Sequence, residues 1–176
     1  WIDLGLKAAG IEPDISRARY GIKKGVKIYT CPWEDYDFKS SPNSIYTSIQ
    51  SLEHFYGAEN FIENIVNSIS DESMLYIEVP DCKYSANDWN DSLYMGHVNN
   101  FSEHSLKILF KRFGLNFIER IKPYKEEKMN TNNLCMIARK AKKNEEENVN
   151  LWDEKDVKLY IKQKIEDYSK ELPEPH

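Results

Sequence analysis

Apolar positions change their period along this chain, and each change predicts an element. Residues 15–24 read as a short helix closed by Gly25. Val26 to Tyr29 then read as a strand. Ser44 to Ile49 predict a second strand after the turn Ser40-Ser41-Pro42-Asn43. Over 60–69, Phe61, Ile62, Ile65, Val66 and Ile69 share one helical face. Met74 to Val79 form an apolar run that Pro80 should stop, because proline has no N–H to give a ladder.

Ser102 is a plausible N-cap for a helix over 102–113. Leu106, Leu109, Phe110 and Phe113 would face inward there, and Gly114 would end it. Residues 115–121 and 133–138 predict two last strands with no helix between them. Strands alternating with helices imply parallel βαβ units, and the last pair implies an antiparallel edge hairpin. A domain over 1–140 is therefore expected, followed by a charged linker over 141–150 and a separate tail over 151–176. In that tail Val157, Ile161, Ile165, Tyr168 and Leu172 fall on one helical stripe, which predicts packing on the domain or a homodimer contact.

Composition narrows the function classes. At 176 residues, with 40% hydrophobic and 12% aromatic residues, one domain with a real core is expected. A charged fraction of 30% and a mean hydropathy of -0.69 put the chain on the polar side. A net charge of -5 argues against binding a nucleic-acid backbone. No apolar run approaches the ~20 residues of a membrane span. Cys31, Cys82 and Cys135 are scattered, with no Cys/His metal spacing, so no metal is expected. Isolated thiols and the lack of a signal-peptide pattern suggest a soluble protein of the cytoplasm. The chain opens on Trp1 rather than methionine, as a fragment or a processed or trimmed chain would.

Candidate chemistry gathers just after strands, where an open α/β sheet binds its ligand. Glu12, in Gly10-Ile11-Glu12-Pro13-Asp14, stands past a short apolar segment, in the place of a carboxylate that accepts from a ribose diol. Trp33, Glu34 and Asp35 follow the strand ending at Tyr29, and an indole beside acids suits a purine. Glu53 and His54 follow the strand ending at Ile49 and could do acid–base work. His97 lies in a loop between the strand ending at Val79 and the helix starting at Ser102. Each feature has a plainer alternative as a cap, a turn or a structural hydrogen-bonding pair.

Taken in order, these segments resemble class I S-adenosylmethionine-dependent methyltransferases of the small-molecule type that acts on sugars or natural products. The resemblance rests on Gly10 to Pro13, Trp33 to Asp35, Leu52-Glu53-His54, Glu78-Val79-Pro80 and His97 to Leu106, and covers roughly residues 8–140. It implies a doubly wound, mostly parallel, Rossmann-like sheet with helices on both faces. It further implies S-adenosylmethionine as cofactor, held by Glu12 at the ribose and by Trp33, Glu34 and Asp35 near the adenine. Methyl transfer to a small molecule, such as a sugar or nucleotide-sugar, would use His97, Glu53 and His54. The family's glycine-rich turn, roughly D-x-G-x-G, is matched only by Ile2-Asp3-Leu4-Gly5, so it is expected either upstream of Trp1 or deleted. Where sugar C-methyltransferases carry a Glu-His pair, this chain has Gly96-His97, and the motif's second histidine is Asn100. These departures favour the alternative of a catalytically degenerate domain that only binds a ligand or partner.

Overall fold

The computed structural model describes residues 5–39, 41–82, 96–121 and 133–142. In chain order the elements are β1 (Ala9–Ile11), α1 (Ile15–Lys23), β2 (Lys27–Tyr29), β3 (Ile45–Ile49), α2 (Ala58–Ser68), β4 (Met74–Pro80), α3 (Glu103–Arg112), β5 (Leu115–Ile121) and β6 (Asn133–Lys140). Short 3-10 turns at Trp33–Asp35 and Leu52–His54 follow β2 and β3. The expected linker and tail helix, and most of the loop before His97, lie outside the described residues.

Local chemistry sets the helix ends. Asp14 caps α1 by accepting from the amides of Ser16 at 2.7 Å and Arg17 at 3.3 Å. Ser102 caps α3 and exchanges hydrogen bonds with Ser105 in a capping box. Gly114 ends that helix at φ +71°, a left-handed conformation that glycine adopts at no steric cost. Helix α2 starts at Ala58 rather than at the expected Asn60, with Gly57 as its cap.

Hydrogen bonding divides the strands into a parallel β1–β2 pair and a four-stranded sheet ordered β3-β4-β6-β5. β3 and β4 are parallel, whereas β6 runs antiparallel to both β4 and β5. The expected C-terminal hairpin is present, but it is its second strand that meets β4. Burial explains the order. Leu134, Met136 and Ala138 of β6 are fully buried, while β5 is exposed over Ile118 to Ile121 and takes the edge.

Leu75, Ile77 and Val79 of β4 point to the same face as the buried residues of β6. Against them pack Phe61, Ile62 and Ile65 of α2 and Leu106, Leu109 and Phe110 of α3. Burying each such side chain stabilises by roughly 1.5–3 kcal/mol. Among the described residues both helices cover this one face, and α1 packs on the β1–β2 pair instead. Trp33 and Phe38, which follow β2, join the main core through Phe61 at ring-centroid distances of 5.4 and 6.1 Å.

Candidate functional site

The chain turns sharply as it leaves β3. Gln50 has φ +49°, uncommon for a residue with a side chain, and donates its amide to Glu78 O at 2.8 Å. This kink drops Leu52–His54 over the carboxyl end of the sheet, with Leu52 and Glu53 buried. The loop arriving at α3 closes over the same turn. Asn99 donates its amide to Glu53 O at 3.0 Å. Its side-chain Nδ2 donates to the carbonyls of Leu52 at 3.3 Å and Phe55 at 2.7 Å. Phe101 pairs with Asp81 in an isolated parallel bridge and accepts from the Cys82 amide at 2.9 Å. Asp81 is in turn held by Arg120 at 3.1 Å, and Arg120 also binds Glu103 at 2.7 Å.

These contacts bring three of the expected site residues together. The rings of His54 and His97 lie 4.9 Å apart, centroid to centroid. His54 Nε2 is 3.7 Å from Glu53 Oε1. One nitrogen or oxygen from each of Glu53, His54 and His97 lies within 4.8 Å of the others. His54 Nδ1 meets the Gly96 carbonyl at 2.7 Å, and since a carbonyl only accepts, Nδ1 carries the proton. In the neutral ring Nε2 then presents its lone pair on the Glu53 side.

Glu53 is 1% exposed, and among the described residues neither carboxylate oxygen has a hydrogen-bond partner. Burial pushes its carboxyl above the ordinary carboxylate range. The residue's own main-chain amide and the nearby His54 and His97 offset this only in part. Glu78, on neighbouring β4, is the contrast: its oxygens accept from Tyr76 at 2.8 Å and Asn133 at 2.7 Å. Glu78 thus has a structural role, whereas Glu53 retains unused acceptor capacity. The sequence places glycine at 96, and the carboxylate near His97 belongs to Glu53 on another element.

The expected cofactor residues stand on a different edge. Glu12 directly follows β1, extends its ladder by donating to Tyr29 O at 3.0 Å, and accepts the Asp14 amide on Oε1 at 2.9 Å. Trp33 is half-buried, tilted against Phe55 at 5.6 Å and edge-to-face with Phe61 at 5.4 Å, while Glu34 and Asp35 are exposed. Because β1 and β2 are parallel neighbours, Glu12 and the 33–35 turn share the carboxyl side of that pair. The residues that dock the 96–101 loop, Asn99 above all, carried no role in the sequence reading. Their sequence signal is an amide side chain two residues after His97 in a loop.

The fold is similar to that of S-adenosylmethionine-dependent methyltransferases of known structure. The chain is similar to a Burkholderia thailandensis 1,6-didemethyltoxoflavin N1-methyltransferase solved with that substrate and S-adenosylhomocysteine. That likeness has a TM-score of 0.62 at 13% identity, over 80% of this chain and 64% of the other. A Thermotoga maritima S-adenosylmethionine-dependent methyltransferase gives 0.59 at 15% identity, over 78% and 74%. The mitomycin 7-O-methyltransferase gives 0.62 at 15% identity, over 78% and 42%. The chain thus spans less than two thirds of the toxoflavin and mitomycin enzymes. The sequence matches no family model and no curated protein. Among the described residues no helix is long and apolar enough to cross a membrane.

Proposed function

We propose that this chain binds S-adenosylmethionine and transfers its methyl group to a small molecule, a sugar or nucleotide-sugar being the class suggested by its motifs. The observation that carries the reading is the buried, unpartnered Glu53 beside His54 and His97 at the carboxyl end of β3, within a methyltransferase fold. The residues present fit the cofactor by their chemistry. Glu12 offers a carboxylate past the end of β1 for a ribose diol. Trp33 gives an apolar wall next to the exposed acids Glu34 and Asp35. The bound cofactor supplies an electrophilic methyl group on a sulfonium.

The chain's own residues act on the acceptor. His97 orients the acceptor's nucleophilic O–H or N–H and takes its proton. His54, held by Gly96, and buried Glu53 stabilise the charge that His97 gains. Much of the acceleration comes from holding two reactants in register.

Two measurements test this. Calorimetry with S-adenosylhomocysteine should show binding that weakens in Glu12→Ala. With a confirmed acceptor, His97→Ala should lower turnover about 10²–10⁴-fold, as for a positioned acid–base group, and leave cofactor affinity nearly intact. Cofactor binding without turnover on any acceptor would favour the degenerate binding domain. No cofactor binding at all would refute the proposal.

A further inference from the structure

We propose that Glu53, His54 and His97 form a binding site for one divalent transition-metal cation. The site overlaps the one assigned to the methyl acceptor, and a cation on His97 would occupy the lone pair that otherwise takes the acceptor's proton, so the two are alternative states of one site. The proposal stands without methyl transfer, because cation binding is read directly.

Three observations converge. The first is that Glu53, His54 and His97 each offer one ligand atom, all within 4.8 Å of one another. Ligand atoms about 2.0–2.2 Å from a common cation lie at most about 4.4 Å apart. The 3.7 Å between His54 Nε2 and Glu53 Oε1 falls inside that limit. A small rotation of an imidazole closes the remainder, and the exposed His54 side chain has the room.

The second concerns the proton on His54. Gly96 accepts from Nδ1, so Nε2 is the lone-pair nitrogen. Backbone carbonyls hold metal-bound histidines in the same way. An ionised Glu53 then faces Nε2 as acceptor against acceptor, an arrangement that a cation between them relieves.

The third is that Glu53 is buried while, among the described residues, neither of its oxygens has a hydrogen-bond partner. Such a group costs free energy unless something pairs with it. Among the described residues Glu78 also acts on Glu53, and its oxygens are already taken by Tyr76 and Asn133.

Two imidazoles and one carboxylate suit zinc, manganese, iron or cobalt rather than magnesium or calcium, which favour all-oxygen shells. With only three protein ligands, one of them the exposed His54, open coordination positions remain. A hydroxyl or carbonyl oxygen of a ligand could fill one.

The test uses Co²⁺, whose visible absorption reports bound nitrogen and oxygen ligands, on the full chain. The expected result is saturable one-to-one binding with visible bands, weakened at least tenfold in His97→Ala and in Glu53→Gln. His104→Ala, on α3, should bind as the wild type does. No saturable binding, or equal binding by the wild type and His97→Ala, would overturn the proposal. Far-UV circular dichroism checks the fold. If Glu53→Gln does not fold, His97→Ala, in a half-buried loop, decides the matter alone.

Discussion

His54 donates from Nδ1 to the carbonyl oxygen of Gly96 at 2.7 Å, joining the turn after β3 to the loop before α3 across 42 residues of sequence. This bond fixes the imidazole tautomer and places His97, the next residue, against His54. A glycine that looked like a lost carboxylate in the sequence therefore has a positioning role through its backbone.

Asn99 should matter as much for folding as for activity. Its side chain holds the Leu52 and Phe55 carbonyls. Asn99→Ala leaves both without that partner, and each net hydrogen bond is worth about 0.5–1.5 kcal/mol. Urea unfolding should show a loss of about 1–3 kcal/mol. Wild-type stability in Asn99→Ala would mean that the loop is held by other contacts.

Glu12→Ala should weaken S-adenosylhomocysteine binding about 10–100-fold, since hydrogen bonds to a charged group are worth about 1.5–3 kcal/mol. Glu12 also accepts the Asp14 amide, so the variant's thermal melt must accompany the calorimetry. An unchanged dissociation constant would remove Glu12 from the cofactor site.

Ile62 is fully buried between α2 and the sheet. Ile62→Ala should cost about 2–5 kcal/mol, the range for an aliphatic residue truncated to alanine in a core. Denaturant midpoints at constant slope check this. A loss below 1 kcal/mol, by the same principle, would show a core that collapses into the gap.

Acid should loosen the α3–β5 contact. Burial alone would raise the Glu103 carboxyl, but hydrogen bonds from Lys107 and Arg120 outweigh it and bring it below the ordinary value of 4.5. A depressed carboxylate contributes stability that is present above its unfolded value and is lost as pH falls through its folded value. Unfolding curves taken from about pH 7 to about pH 3 should therefore decline less steeply below pH ~4.5 in Glu103→Gln than in the wild type. Parallel declines would mean that the Glu103 charge contributes nothing measurable.

Legibility in the sequence followed the range of the forces involved. Strands β4 and β5 begin at the residues predicted, and α1 and α3 agree to within a residue at either end, because periodicity and caps act over a few neighbours. Asp14 and Ser102 each sit directly before the helix they cap. Sheet order was less legible. The expected edge hairpin is there, yet β6 rather than β5 lies against β4, since a strand's neighbours are chosen by which faces can be buried together.

The candidate site divides in the same way. The sequence by itself determined that Glu53 and His54 follow a strand, that His97 stands in a loop beyond the next one, and that no local metal spacing exists. Only the tertiary structure decided that the three meet, that Glu53 is buried without a hydrogen-bond partner among the described residues, and that Gly96 sets the proton on His54. The physical reason is that burial and hydrogen bonding between elements belong to the packed chain. Residues 53 and 97 become neighbours only when β3 and β4 pair in parallel and Asn99 closes the loop over their ends.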